Sequence, residues 1–180
     1  MKVKKNPHRL IIFIIALNVL AVSIFLGCGN SSSSRSSTCD LDVTDNLEGH
    51  ITDGLKVKLS TNKGIYLSGE NPELSLTVTN VSDQSINVTF FSSKEFDFIV
   101  CSRDGMEIWR RSHDSSFLHL ITDVTIQPDT NYFFTGFSDG IAREIFDRKD
   151  NSGEIIASGD YTVYGQFNKY DSNKKIIRLE

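Results

Sequence analysis

The sequence of 180 residues predicts an all-β fold, an antiparallel β-sandwich of immunoglobulin-like type with about seven to nine strands. The first observation behind this prediction is a period of two: from residue 55 onward, apolar side chains alternate with polar ones, as in Leu74, Leu76 and Val78. Such alternation places one face of a strand on a core and the other in water. The second observation is that turn residues interrupt the pattern about every ten positions, a spacing typical of sandwich domains.

The predicted strands follow one another along the chain. Alternating segments lie at 55–59, 74–78, 86–90, 96–100, 108–109, 121–126, 132–137, 161–167 and 176–179, and turn-forming residues lie between them at 62–64, 68–72, 82–84, 103–105, 127–129 and 158–160. The segment 139–157 differs, because residues 141–148 have a spacing suited to one or two helical turns. We interpret it as a long connection between the last two sheet regions.

The N-terminal segment has the three parts of an export signal. Basic residues come first (Lys2, Lys4, Lys5 and Arg9), an apolar run from Leu10 to Leu26 follows, and the small residue Gly27 precedes Cys28. The run has 17 residues. As a helix it would span roughly 25 Å, slightly less than the ~30 Å hydrocarbon core of a bilayer. An uncleaved signal anchor is therefore the alternative to a cleaved signal.

The segment from Phe25 to Cys28 resembles the lipobox of bacterial lipoproteins, in which the cysteine is acylated and becomes the first residue. Phe25 and Leu26 depart from the usual pattern, which has Leu and then a small residue. The Ser-rich stretch 31–37 is typical of a tether. These features predict a signal peptide at 1–27, a lipidated Cys28 with an acidic and Ser-rich tether at 28–54, and a folded domain at 55–180. The expected location is the bacterial cell envelope, outside the cytoplasm, with the lipid in a membrane.

The charge balance bears on partners. The formal net charge is −4, and loss of the four basic residues of the signal would make it about −8. An acidic domain repels the phosphates of nucleic acids, so nucleic-acid binding is excluded.

Three cysteines are present, Cys28, Cys39 and Cys101. Acylation of Cys28 would leave two, and an exported protein is able to oxidise them to a disulfide. The alternative is a pair of free thiols.

Several motifs between Leu74 and Gly165 occur in an order seen in one known family. They are a strand ending in Asn80, the Phe96-Asp97-Phe98 element, the Asp104-Gly105 turn before Ile108-Trp109, Ser112 and Phe117, the Ile126-Gln127-Pro128 turn, and the Gly159-x-Tyr161-x-Val163-x-Gly165 strand. Together they resemble the intracellular proteinase inhibitor family, BsuPI. Asp129 stands where that family usually has Gly, and the export signal departs from an intracellular family.

The resemblance implies binding to a protease, which requires an exposed and rigid loop. Two loops are candidates, Ser102–Met106 and Arg110–Ser116, and Arg103, Arg110 and Arg111 are candidates to contact a partner, for example in an acidic specificity pocket. The alternative is that these arginines are ordinary solvated residues.

The sequence predicts neither an enzyme nor a cofactor. His113 and His119 are too loosely spaced for a metal site, and the adjacent residues His113, Asp114 and Ser115 do not form a catalytic triad, which is defined by geometry across a fold.

Two functional hypotheses follow. The first is a non-catalytic envelope lipoprotein whose sandwich binds another protein and inhibits a proteinase. The second is a structural or assembly module of the envelope without inhibitory activity.

Overall fold

A computed structural model describes Cys39 and residues 48–180. The predicted all-β class is confirmed, and this part of the chain contains no helix. Its twelve strands are β1 (His50–Thr52), β2 (Leu55–Thr61), β3 (Ile65–Tyr66), β4 (Glu73–Asn80), β5 (Ile86–Phe90), β6 (Phe96–Cys101), β7 (Glu107–Arg110), β8 (Thr122–Ile126), β9 (Ala142–Ile145), β10 (Gly159–Phe167), β11 (Tyr170–Asp171) and β12 (Lys175–Leu179).

Two sheets form the sandwich. The first has the strand order β1-β2-β4-β9, and the second has the order β3-β12-β10-β6-β7, with β11 also paired to β10. All of these pairs are antiparallel except β3 with β12. A separate ribbon consists of β5 and β8.

The core lies between the two sheets and follows the alternation in the sequence. The first sheet contributes Leu55, Val57, Leu59, Leu74, Leu76 and Val78, and the second contributes Phe96, Phe98, Val100, Val163, Phe167, Ile177 and Leu179. An aromatic cluster closes one side, where the ring of Phe167 lies 4.8 Å from that of Tyr132 and 5.4 Å from that of Phe90. The β5–β8 ribbon is held to the sandwich through Phe90.

Strand β6 is buried on both faces, unlike an ordinary sandwich strand. Phe96, Phe98 and Val100 enter the core, whereas Asp97, Ile99 and Cys101 lie on the other face. The outer face is covered by a polar network at Asp97 and by Cys39 and Tyr164 near Ile99. Because β6 is packed on both faces and pairs with β7, these two strands fix the positions of the candidate loops.

Three details differ from the prediction. The short strands β1, β3 and β11 raise the strand number above the predicted seven to nine, since two or three residues show no alternation. Residues 132–137 form no strand: Tyr132 donates to the carbonyl of Val78, and the chain then turns at Gly136, whose φ is 88°. The sheet also begins at His50, inside the stretch 28–54 that was predicted to be a tether.

The predicted helical turns at 141–148 are wrong, because Ala142–Ile145 is strand β9 on the edge of β4. Ala142 and Phe146 are both buried and lie four residues apart. A spacing of four fits both the helical period and the strand period, so the pattern alone did not separate them. Pairing with β9 covers the edge of β4 that would otherwise be open.

Candidate functional site

The two candidate loops lie at opposite ends of the β6–β7 pair. Ser102–Met106 joins the end of β6 to the start of β7, whereas Arg110–Ser116 begins where β7 ends, at Arg110, which pairs with Ile99 of β6. The four residues of β7 lie between the two loops, which is roughly 14 Å at the rise of an antiparallel strand. The structure therefore does not bring Arg103 together with Arg110 and Arg111.

The Ser102–Met106 loop is a turn closed on itself. The Ser102 amide donates to the Met106 carbonyl at 2.9 Å, and the Gly105 amide donates to the Ser102 carbonyl at 3.0 Å. Gly105 has a φ of 81°, in the left-handed region that glycine adopts without strain. The two ends of the turn are thus bonded to each other, and Arg103 and Asp104 lie at its exposed tip.

A disulfide holds this turn from outside. Cys39 and Cys101 are bonded, with their Cα atoms 6.3 Å apart, and the Cys39 amide donates to the Gly105 carbonyl at 2.7 Å. Both cysteines are buried, and they pack with Ile99 and Tyr164. Cys39, eleven residues before the first strand, is thus attached to this end of β6.

Arg103 is the exposed member of the three candidate arginines. It lies close enough to Asp160 for its charge to act on that carboxylate. The pKa of Asp160 is lowered mainly by the hydrogen bond from Arg178, whose Nε lies 2.7 Å from Oδ1, and to a smaller extent by the charge of Arg103.

Arg110 is held by two carboxylates. Its Nε and Nη2 donate to the two oxygens of Glu107 at 2.9 and 2.6 Å, and its Nη1 donates to Asp97 at 3.2 Å. The paired hydrogen bonds to Glu107 are the main reason that the pKa of Arg110 is raised. If Arg110 swung out to a partner, Asp97 would lose one of its two cations while remaining buried. The prediction that it fills a specificity pocket does not fit this geometry.

Arg111 is also held in place. Its Nε donates to Glu144 of β9 at 2.8 Å, and its guanidinium carbon lies 4.4 Å from the centre of the Phe96 ring. Both contacts fix the loop against the sandwich.

Asp97 is the centre of this network and was missed as a structural anchor in the sequence. Its side chain is fully buried and accepts hydrogen bonds from Lys94 Nζ, Arg110 Nη1, the Ser112 amide and hydroxyl, and the Phe98 amide. Burial alone would raise the pKa of Asp97, but the hydrogen bonds from Ser112, Lys94 and Arg110 outweigh it and lower the pKa. The sequence does contain a signal that could have revealed this site, namely an aspartate between two phenylalanines, Phe96 and Phe98.

The second feature missed in the sequence is an exposed apolar segment after this loop. Residues 118–121 are Leu, His, Leu and Ile, and all four are exposed before β8 begins at Thr122. Phe117, just before them, is half-buried beside Phe96, Arg111 and Phe137. The sequence predicted Ile121 as the first residue of a strand at 121–126, which in fact begins at Thr122, and it gave no prediction for Leu118 and Leu120.

No three His, Cys, Asp or Glu side chains gather as a metal site in residues 48–180 and Cys39. His113 Nε2 lies 3.7 Å from Asp114 Oδ1, and both side chains are exposed.

The predicted signal peptide at 1–27 and Cys28 lie outside the described residues. Within Cys39 and residues 48–180, no helix has the length and hydropathy needed to cross a bilayer.

Comparison with known proteins gives one family match. A family model described as BsuPI, intracellular proteinase inhibitor, matches residues 59–171, more than half of the chain. This range includes both candidate loops and the segment 118–121. No curated protein matches the sequence.

Three solved structures align with the chain at low similarity. A β-glucosidase from Erythrobacter marinus has 10% identity and a TM-score of 0.41, over 70% of this chain and 15% of its own. An alkylpurine DNA glycosylase from Pseudomonas fluorescens has 11% identity and a TM-score of 0.41, over 71% and 30%. Spo0M, a sporulation control protein from Bacillus subtilis, has 15% identity and a TM-score of 0.40, over 72% and 50%. The chain thus spans at most half the length of these three structures.

Proposed function

Because the chain belongs to the BsuPI family of intracellular proteinase inhibitors, we propose that its β-sandwich is a non-catalytic protein that binds and inhibits a protease. The family match over residues 59–171 is the observation that carries this proposal. The match covers the end of β2 and all of strands β3 to β11, which hold the loops described above.

The geometry supports the proposal, because an inhibitor needs loops that are ordered before binding. The loop at 110–116 is fixed by Asp97 and Glu144, and it leads through the half-buried Phe117 to the exposed residues 118–121. A loop that is already ordered loses little conformational entropy when a protease binds it.

We further propose that the domain works outside the cytoplasm, anchored in a membrane through lipidated Cys28. The support is the export signal in the sequence and the disulfide between Cys39 and Cys101, because disulfides persist in oxidising compartments and are rare in the cytosol. The name of the family refers to intracellular members, so the target of this chain would be a protease of the envelope or its surroundings.

The test is a titration of the full-length chain, purified in detergent, against a panel of subtilisin-like, chymotrypsin-like and trypsin-like proteases. Stoichiometric inhibition at submicromolar concentration is the expected result. A chain that survives the whole panel intact and inhibits none of its members overturns the proposal.

A structural module of the envelope is the second candidate, and one observation favours it. Strand β9 lies at the edge of its sheet, and Ile145 on this strand is 63% exposed. An edge strand with an apolar side chain is able to pair with a strand of another protein. In that case Ile145→Lys would abolish crosslinking to an envelope partner, whereas inhibition of a protease would be unaffected by it.

A further inference from the structure

Four apolar side chains lie in solvent around the start of β8. Leu118 is 73% exposed, Leu120 is 52% exposed, Ile121 is 69% exposed, and Phe91 after β5 is 72% exposed. Phe90 and Thr122 are the last pair of the β5–β8 ladder, and Phe91 and Ile121 are the next residues beyond that pair. Contiguous exposed apolar surface of this kind marks sites of protein interaction.

The backbone of this segment is unpaired after its first residue. Leu118 is fixed, because its amide donates to Ser93 Oγ at 3.0 Å and its carbonyl accepts from the Ser93 amide at 2.9 Å. Residues 119–121 have no strand partner and no backbone hydrogen bond to any residue that the structure describes. The segment therefore offers free amides and carbonyls between two anchored points, Leu118 and β8.

A protease cleft recognises these features. It binds extended chain through backbone hydrogen bonds and takes one side chain into its primary specificity pocket. The Ser102–Met106 segment is a reverse turn closed by hydrogen bonds between its ends and is therefore not extended. Arg110 and Arg111 are held by carboxylates. The segment 118–121 has both the free backbone and the exposed side chains, and three of its four side chains are apolar.

Resting on the proposed function, we infer that residues 118–121 enter the substrate cleft of a protease with an apolar specificity pocket, and that Leu120 fills this pocket. The residue in the pocket must have a free carbonyl to meet the oxyanion-hole donors. The carbonyl of Leu118 is already bound to Ser93, whereas those of Leu120 and Ile121 have no hydrogen bond to the described residues. Of these two, Leu120 has an unpaired residue on each side, whereas Ile121 adjoins Thr122, the first paired residue of β8. The exposed side chain of Arg103, on the far end of β6, plays no part in this contact.

The test compares variants of the full-length chain in detergent against a subtilisin-like, a chymotrypsin-like and a trypsin-like protease. Leu120→Ala is expected to raise the inhibition constant for the enzymes with apolar pockets by at least about 30-fold, as expected for an interface hot spot. Ile155→Ala is the matched control, since Ile155 is 82% exposed and lies in a different loop. It is expected to change the constant less than about twofold. Leu120→Arg is expected to shift inhibition to the trypsin-like enzyme, whose pocket is acidic.

The outcomes separate this inference from the proposed function. Inhibition that is unaffected by Leu120→Ala and by Leu120→Arg overturns the inference and leaves the proposed function standing. Absence of inhibition by the wild-type chain overturns both. The midpoint of urea unfolding is expected to be the same in all variants, because Leu120 and Ile155 are exposed, so a loss of inhibition is not a loss of fold.

Discussion

At the scale of single residues, Asp97 shows how a charged side chain can belong to a core. It is fully buried, yet five donors surround its two oxygens, and two of them belong to the cations Lys94 and Arg110. A buried carboxylate is tolerated only when it is paired and hydrogen-bonded. The same bonds tie Ser112 to β6, so this residue links the core to the loop that leads to residues 118–121.

Asp97→Asn is therefore expected to lower the free energy of unfolding by about 3 kcal/mol. This is the lower end of the range for breaking a buried ion pair, since Lys94 and Arg110 remain partly in contact with water. Urea denaturation measures the change. Asp123→Asn is the control, because Asp123 is exposed and an amide oxygen can still accept from Thr89. A change of less than about 0.5 kcal/mol is expected there.

A second prediction for Asp97 concerns how the free energy of unfolding changes at acidic pH. Its pKa in the folded protein is lowered from 3.8, so its contribution is present above about pH 4 and is lost as the pH falls through the folded-state pKa. The difference in free energy of unfolding between the wild type and Asp97→Asn should shrink as the pH is lowered from 6 to 2. A difference that stays constant over this range would show that the lowered pKa is not the source of the stability.

At the scale of elements, the packing of the two sheets depends on a glycine. Gly165 on β10 faces Leu76 on β4, and a Cβ atom added at Gly165 would lie 2.4 Å from Leu76 Cδ1. The last glycine of the Gly-x-Tyr-x-Val-x-Gly motif is therefore required by close approach between sheets.

Asn80, at the end of β4, connects the sandwich to the β5–β8 ribbon. Its side-chain amide group donates hydrogen bonds to the carbonyls of Gln84 and Ile126.

Gly165→Ala is expected to destabilise the protein by about 1–3 kcal/mol through overpacking. Leu76→Ala alone removes a buried side chain and should lower stability by about 2–5 kcal/mol. In the double variant the new methyl group occupies part of the space that Leu76 leaves, so the two effects should sum to less than their separate values. If the effects of Gly165→Ala and Leu76→Ala were simply additive, the close contact between Gly165 and Leu76 would be contradicted. Gly64→Ala, with no heavy atom within 4 Å of the added Cβ, is the control and should be near neutral.

The elements also show what a sequence can predict. The alternation at Leu74, Leu76 and Val78 was sufficient for the sheets, because a two-residue period has a direct meaning in a strand. It was insufficient at Ala142 and Phe146, whose spacing fits two periods. It was also insufficient at Ile121, which was predicted to begin a strand but is exposed, because burial depends on what the rest of the chain leaves uncovered. The candidate site was predicted only as far as the loops. Which arginines are held by carboxylates depends on contacts between residues far apart in the chain, such as Arg111 with Glu144.

At the scale of the whole molecule, the disulfide joins points separated by 62 residues. Loss of such a link usually lowers the free energy of unfolding by about 2–5 kcal/mol. Cys39→Ser, which leaves Cys101 as a buried thiol, is expected to lose stability in this range in urea denaturation. Wild-type protein treated with a reductant should give the same value. If reduction leaves the unfolding midpoint unchanged, the disulfide does not contribute to stability.

The proposed membrane anchor is a property of the full-length chain and has its own test. Cys28→Ser should abolish labelling by radioactive palmitate, because the thiol is the acylation site, and it should release the protein from membranes. Cys39→Ser is the matched control and should keep both. Membrane retention through an alkaline wash, with no label in the wild type, would support an uncleaved signal anchor instead. Anchoring by more than one acyl chain is expected, since a single chain holds a protein only marginally.

If Cys28 carries a lipid, as we propose, the disulfide would limit how far the domain stands from the bilayer. Cys39 is eleven residues after Cys28, a stretch that spans at most about 40 Å, whereas the first strand begins at His50, twice as far along the chain. In that proposed form, the point of attachment with the bond intact would be the turn end of β6. Reduction would move it to His50 and roughly double the reach. The oxidation state of one bond would thereby decide whether the domain meets proteins close to the membrane or well beyond it.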